Sequence, residues 1–230
     1  MKDVLGQAIS DHYFRREPGK LWIHNTYGRK ENMPVETYFR QAPLMPPLEL
    51  AALHQCRGKV LDIGAGAGSH ALYLQENGYD ITALEISPAA CNVMTARGIS
   101  KIVQTDINSY FTGTYNTLLL LMNGIGLTGT IRKLRFFLRH IKPLLANRGQ
   151  VLFDSSDVAY IYKGSVPLMP HYYGEIDYRY EYKNDFTRWF KWLYIDQVTL
   201  RNIAAGEGWK TTILLEDGSD QYLARLTLQR

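Results

Sequence analysis

The 230-residue chain predicts a doubly wound α/β domain with a mostly parallel seven-stranded sheet. Three observations carry this expectation. From Gly58 onward, short apolar runs alternate with helix-forming runs, which implies parallel strands joined by crossover helices. One of those runs, "YNTLLLLM" at 115–122, is apolar along its whole length, as in a sheet covered on both faces. The chain then ends in two strand-like runs around "DGSD", an antiparallel pair.

Each element has its own signal. "KVLDIG" reads as a buried strand and "SHALYLQENG" as a helix ended by Gly78. "YDITALEI" is the second strand. "SPAACNVMTARG" is a helix with Ser87 as N-cap, Pro88 at its first position and Gly98 as terminator. "KIVQT" and "YNTLLLLM" are the third and fourth strands. "TIRKLRFFLRHIKPLLANRG" is a helix that Pro143 kinks or shortens. "QVLFDSS" is the fifth strand, a helix spans about 196–206, and "WKTTILLE" and "QYLARLTLQ" close the sheet.

Two stretches fall outside this alternation. Residues 1–50 mix aromatics, charges and prolines without a period. Trp22, Tyr27, Tyr38 and Phe39 argue that the segment docks as a cap or lid on the main domain, residues 51–230, because disordered arms are poor in aromatics. The second stretch is an insertion at about 160–195. There Tyr178, Tyr180 and Tyr182 alternate with Arg179, Glu181 and Lys183. Beyond Asn184 and Asp185, Phe190, Trp192 and Tyr194 stand two apart. This pattern predicts a β-hairpin with one aromatic face.

Composition excludes some classes of function. Hydrophobic residues at 46% and charged residues at 21% are ordinary for a globular protein, and a net charge of +4 does not by itself indicate nucleic acid. Cys56 and Cys91 lack metal-ligand spacing and read as reduced thiols of a cytoplasmic protein. The first twenty residues lack the apolar core of a signal peptide, and the longest apolar run, "LLLLM", is too short to span a membrane.

The stretch that carries chemistry is "VLDIGAGAGSHA" at 60–71. A strand ends, an acid stands near its end, and three glycines follow before a helix. Glycines let a backbone approach a ligand closely, and the next helix aims its N-terminal N–H groups the same way. Gly64, Gly66 and Gly68 therefore mark a nucleotide-like site. The dinucleotide fingerprint needs G-x-G-x-x-G, but Ser69 stands where its third glycine belongs. The phosphate-loop pattern is absent too.

"VLDIGAGAG", "ALEIS", "QTDI" and "LLLLMNGIGL" occur in order, each at a strand end. In this the sequence resembles the class I S-adenosylmethionine-dependent methyltransferases, with their Rossmann-like fold, over about residues 58–158 and 196–229. The resemblance implies S-adenosyl-L-methionine as cofactor and S-adenosyl-L-homocysteine as product. It places Gly64, Gly66 and Gly68 along the methionine part, with Asp62 orienting its ammonium. Glu85 would accept the ribose hydroxyls and Asp106 the adenine amino group, while Ile86 and Ile107 would sandwich the ring. Asn123 and Gly124 would lie near the sulfonium. The bland readings stand beside these roles: Asp62 as a loop cap, Glu85 as a solvated strand end, Asp106 as a helix cap and Asn123 as a turn residue.

The resemblance implies an enzyme that moves a methyl group to an acceptor. The fourth motif lacks the "PPY" run of amide and base N-methyltransferases, and no Asp/Asn cluster suggests a metal. Candidate bases are Asp154 and His24, then Asp157 and His171. The expected acceptor is a small molecule, with RNA methylation or a noncatalytic cofactor-binding module as alternatives. The aromatic hairpin suits packing on its own domain, a homodimer contact, an acceptor wall or base stacking.

Overall fold

The computed structural model describes every residue except 1, 16–18, 163–165, 167 and 230. Positions 163–165 and 167 of the expected insertion thus lie outside the described residues. The chain opens with helix α1 (Val4–Ser10) and strands β1 (Leu21–Asn25) and β2 (Glu31–Met33). Helix α2 (Pro47–Gln55) leads to β3 (Val60–Ile63), α3 (Ser69–Glu76), β4 (Ile81–Glu85), α4 (Pro88–Ala96) and β5 (Ile102–Gln104). Next come β6 (Tyr115–Leu120), α5 (Ile131–His140) and β7 (Leu145–Ser156). The remainder comprises β8 (Glu175–Tyr182), β9 (Asp185–Phe186), β10 (Phe190–Leu193), α6 (Gln197–Gly206), β11 (Trp209–Glu216) and β12 (Gln221–Leu228).

The seven-stranded sheet has the order β11-β12-β7-β6-β3-β4-β5. Strands β6 and β7 are parallel, as are β4 and β5, whereas β12 runs antiparallel to both β7 and β11. Strand order reverses at β3, the point in such sheets where the first strand-to-helix turn meets ligand. The doubly wound class is therefore observed. Among the described residues, no helix is long and apolar enough to cross a membrane.

One expected element differs in extent. The helix expected over 130–149 stops at His140. Pro143 sits in a 3₁₀ turn over Lys142–Leu144, because its ring cannot supply the N–H of a continuing helix. Strand β7 accordingly starts at Leu145, ahead of the expected Gln150, and Arg148 takes φ 60° where its register against β6 shifts.

The chain forms two compact units. The first holds residues up to Met45 together with Asp62–Ser109 and Asp177–Phe190. Its core gathers Val4, Ala8, Ile9, Leu21 and Val35 with Ala67, Ala90, Val93 and Tyr182. The N-terminal segment thus contributes core residues rather than only a cover. Its β1 pairs antiparallel with β2 and with β8, placing Leu21 opposite Tyr182 and His24 opposite Arg179. These strands form a second sheet of order β10-β8-β1-β2, with β9 paired to β8. Lys183 and Asn184, at φ 46° and 68°, make the two-residue turn between β8 and β9, one position earlier than the sequence pattern suggests.

The inner tyrosines of β8 pack as side chains of the core. Tyr182 is buried, donates to Asp11 Oδ2 (3.1 Å) and accepts from the Gly19 N–H (3.1 Å). Asp11 also accepts from Lys183 Nζ (2.8 Å) and Gln7 Nε2 (2.7 Å), so α1 and the hairpin tip are tied together. On the opposite face of β8, Glu181 accepts from Lys30 and pairs with His24.

The second unit holds Pro46–Leu61, Tyr110–Ile176 and the chain from Lys191 on. Leu118, Leu119, Val151, Phe153, Trp209 and Tyr222 are buried, and the Trp209 indole donates to the Leu138 carbonyl (3.2 Å). Asp196 caps α6 by accepting from the Val198 and Thr199 N–H groups.

Tyr182 separates packing from polar pairing. Tyr182→Phe keeps the buried ring and should cost about 1–2 kcal/mol for the lost hydrogen bonds. Tyr182→Ala should cost roughly 3–5 kcal/mol. Urea denaturation of both variants measures this. An alanine variant as stable as the parent would show that the hairpin does not belong to the core.

Candidate functional site

The site begins at the end of β3, whose four residues are all buried. The chain then turns through Gly64, Gly66 and Gly68 at φ 76°, 57° and 81°, a region costly for any side chain. The Gly64 and Ala65 N–H groups donate to the Leu84 carbonyl at 2.8 and 3.2 Å, which ties the loop to β4.

The three glycines do different work. A Cβ on Gly68 would stand 2.2 Å from Ile99 Cδ1 and 2.8 Å from Met94 Cγ, so this glycine permits close packing. A Cβ on Gly66 would touch the Tyr38 ring at 3.3 Å. A Cβ on Gly64 would meet nothing within 4 Å. Only at Gly64 does the bare backbone face open space that a ligand can fill.

Glu85 ends β4 and is only 8% exposed. It is not the solvated strand-end carboxylate that the bland reading described. Its Oε2 accepts from the Gly66 N–H (2.8 Å), and its Oε1 accepts from the Ile86 and Ser87 N–H groups (2.8 and 2.9 Å). A carboxylate offers about four lone-pair positions, so three bonds leave capacity for a further donor.

Asp62 is 2% exposed, and its Oδ2 is buried without a hydrogen-bond partner. Burial pushes its pKa from 3.8 up to about 6; the His70 charge pulls it down and the Glu85 charge adds to the rise. A buried carboxylate oxygen without a donor is costly, and a cationic group would relieve that cost.

Two further residues reach this loop from the N-terminal segment and from α4. Ser69 Oγ donates to the Tyr38 carbonyl (2.7 Å), which holds the Tyr38 ring against Gly66. Burial, together with the Tyr180 and Glu85 charges, raises the Tyr38 pKa and keeps its phenol protonated. Arg97 donates to the Ala67 carbonyl (2.6 Å) and to Ser69 Oγ (3.2 Å). Sequence pattern signalled Tyr38 only as part of an aromatic-rich cap, and gave no signal for Arg97.

Asp106 is exposed, and its Oδ1 accepts from the backbone and side-chain nitrogens of Asn108, both at 2.8 Å. It thus caps the turn Ile107–Ser109. Ile86 is 63% exposed and Ile107 is buried, so of these two Ile86 has the broad accessible apolar face.

In the second unit, Met122 and Asn123 take φ 61° and 56° at the end of β6, and Gly124 opens a 3₁₀ turn. The Asn123 N–H donates to Asp154 Oδ2 (2.8 Å). Asp154 is buried at 8% exposure and braces a left-handed backbone. Asp157 Oδ1 accepts from the Ala159 N–H (2.9 Å) and the Tyr173 hydroxyl (2.7 Å), a capping arrangement. His171 is exposed and its Nδ1 contacts the Tyr172 carbonyl at 3.1 Å, while His24 is engaged with Glu181. Cys56 and Cys91 are buried thiols that donate to the Ala52 and Glu85 carbonyls.

The chain matches the family model described as a methyltransferase domain over residues 37–211. No curated protein matches it. Among solved structures, it is 40% identical to an S-adenosylmethionine-dependent methyltransferase from Bacteroides fragilis in complex with S-adenosyl-L-homocysteine, covering 100% of this chain and 96% of that one with a TM-score of 0.93. The CcbJ methyltransferase from Streptomyces caelestis is 13% identical, with 99% and 98% of the two chains covered and a TM-score of 0.66. The sugar N-methyltransferase KedS8 from a Streptoalloteichus species is also 13% identical, with 90% and 97% covered and a TM-score of 0.58. At that identity the last two speak to the fold alone.

Asp62 gives a pH prediction. Its native pKa of about 6 exceeds the ordinary 3.8, so the native state holds the extra proton between those values. The stabilisation is complete below about pH 4 and is lost as pH rises through about 6, on the order of 3 kcal/mol in all. Subtracting the stability profile of Asp62→Asn from that of the parent isolates this effect. A flat difference between pH 4 and 7 would mean that Asp62 is not buried as described.

Proposed function

The chain belongs to the class I S-adenosylmethionine-dependent methyltransferases, and on that premise we propose that it binds S-adenosylmethionine in its first unit and methylates a small molecule. The single observation that carries the reading is Asp62. Its buried, unpartnered Oδ2 suits the ammonium of the methionine part. The rest of the donor set agrees. Gly64 leaves open space for the chain of the cofactor. Glu85 keeps acceptor capacity for one ribose hydroxyl. Ile86 offers an exposed apolar face for the adenine ring, with Ile107 and Asp106 on the following turn.

When bound, the cofactor supplies an electrophilic methyl group on a sulfonium. The chain's part is to align and to exclude water, because an in-line displacement needs orientation more than a strong acid. Asp62 would neutralise the ammonium, Glu85 would fix the ribose, and Tyr38 would cover the glycine loop. In the second unit Asp154 holds the Asn123 N–H, so it serves better as a brace for the Asn123–Gly124 turn than as a general base.

A small acceptor is favoured over RNA by what the hairpin does. Tyr178 and Tyr182 are buried, Lys183 is paired with Asp11, and the Arg179 guanidinium lies over Phe186 and Trp189 at 4.7 and 5.1 Å. Aromatic faces and cations used in this way do not offer a stacking platform with free phosphate-binding groups.

Calorimetry with S-adenosylhomocysteine and Glu85 variants tests the reading. The parent should bind S-adenosylhomocysteine and not NAD. Glu85→Ala should weaken binding by roughly 30- to 1000-fold. It should also lower the melting temperature of the free protein, since three backbone N–H groups lose their acceptor. Tighter binding of NAD by the parent, or unchanged affinity in the variant, would reject the assignment.

A further inference from the structure

The two helices that meet beside Glu85 are linked at their N-termini by one carboxylate. Asp3 Oδ1 accepts from the Gly6 N–H (3.0 Å) and so caps α1. Its Oδ2 accepts from the Ser87 hydroxyl (2.6 Å), with the Ala89 N–H at 3.4 Å. Ser87 in turn accepts from the Ala90 N–H (3.0 Å) and caps α4. A serine hydroxyl has one proton. By taking it, Asp3 turns a lone pair of Ser87 toward Ala90 and fixes the hydroxyl. The negative charge at the start of α4 also suits the dipole of that helix.

The same serine gives its backbone N–H to Glu85 Oε1. An unbroken set of hydrogen bonds therefore runs from α1 through Asp3 and Ser87 to the carboxylate that also holds Gly66. Gly6 makes the approach possible. A Cβ there would stand 2.0 Å from Ser87 Oγ and 2.4 Å from both Asp3 carboxylate oxygens. The far end of α1 is anchored where the buried Asp11, just after the helix, pairs with Lys183. Asp3 lies ahead of the region matched by the family model, residues 37–211, so this arrangement is an addition to the matched domain.

We propose that Asp3 is a positioning residue for cofactor binding: acting through Ser87, it sets the turn that presents Glu85 to the ribose. This rests on the cofactor reading above. Without Asp3, the Ser87 hydroxyl can swing away from Ala90, the first turn of α4 frays, and the Ser87 N–H no longer holds Glu85 in one orientation. Asp3 touches no ligand, so its effect appears as affinity and not as a lost contact.

The test measures S-adenosylhomocysteine affinity by calorimetry in the full-length protein, beside melting temperatures without ligand. Asp3→Ala should weaken binding about 5- to 30-fold. Tyr182→Phe, a loss of polar bonds in the same core, should change affinity less than about twofold, because it lies off this path. Asp3→Asn keeps an N-cap oxygen for Gly6 but faces Ser87 with an amide NH2, a donor that cannot take the hydroxyl proton, so it should weaken binding nearly as much as Asp3→Ala. In a Glu85→Gln background, Asp3→Ala should add less than about twofold, since the two act in series. Parental affinity in Asp3→Ala, or a full effect persisting without the Glu85 charge, overturns the inference while leaving the cofactor reading intact. A variant weakened only in proportion to its lost stability, as Tyr182→Phe would reveal, overturns it as well. Failure of the parent itself to bind S-adenosylhomocysteine is the separate outcome that rejects both.

Discussion

The carboxylate of Glu85 is the interaction on which the site depends. It stands at the end of β4 with three backbone N–H groups directed at it, one from the glycine loop and two from the turn into α4. The Gly66 N–H would otherwise be a buried donor without an acceptor, at a cost of about 1–3 kcal/mol, and the part-buried N–H groups of Ile86 and Ser87 would lose theirs. One side chain thus organises two strand-to-helix turns, and the geometry of both is shared. The neighbouring carboxylate, Asp62, has the opposite character, with an unpartnered oxygen and a raised pKa. On the proposed reading, Glu85 with one acceptor position left and Asp62 with an unpartnered oxygen would suit a ligand that carries a hydroxyl at one end and a cation at the other.

That constraint explains why the loop is so bare. Gly66 must present its N–H to Glu85 while Tyr38 covers its other side, and Gly68 must let Met94 and Ile99 close against the backbone. Gly64 alone is left to face open space. The N-terminal segment completes the arrangement by placing Tyr38 on the loop and α1 against α4. It is part of the folded unit as much as a cover for it. Removing it would strip Val4, Ala8 and Ile9 from a core that includes Ala67 of the glycine loop.

The legible part of the fold was the part written in local pattern. The strand-helix alternation, the Ser87 cap, the Gly78 and Gly98 stops and the shortening at Pro143 all follow from interactions within a few residues. The pairing of β1 with β8 was not legible, because Leu21 and Tyr182 are distant in sequence and β1 shows no alternation of its own. The link from Asp3 to Ser87 was hidden for the same reason. At the site, the glycines and Glu85 stood out by motif. The burial of Glu85 did not, since it arises from N–H groups that carry no residue-type signal. Asp106, Asp157 and His24 show the reverse case. Their types suggested chemistry, and the structure also gives each a hydrogen-bond partner, close in sequence for Asp106 and Asp157 and distant for His24 in Glu181.

On the proposed function Asp62 and Glu85 hold the two ends of one cofactor, and a crystal structure of the protein with S-adenosylhomocysteine would reveal whether they do. Density is expected along Gly64, with a ribose hydroxyl within hydrogen-bond distance of Glu85 and the amino group beside Asp62. The bonds from Gly66, Ile86 and Ser87 to Glu85 should persist. Density placed away from the glycine loop, or a ribose that Glu85 does not touch, would contradict it.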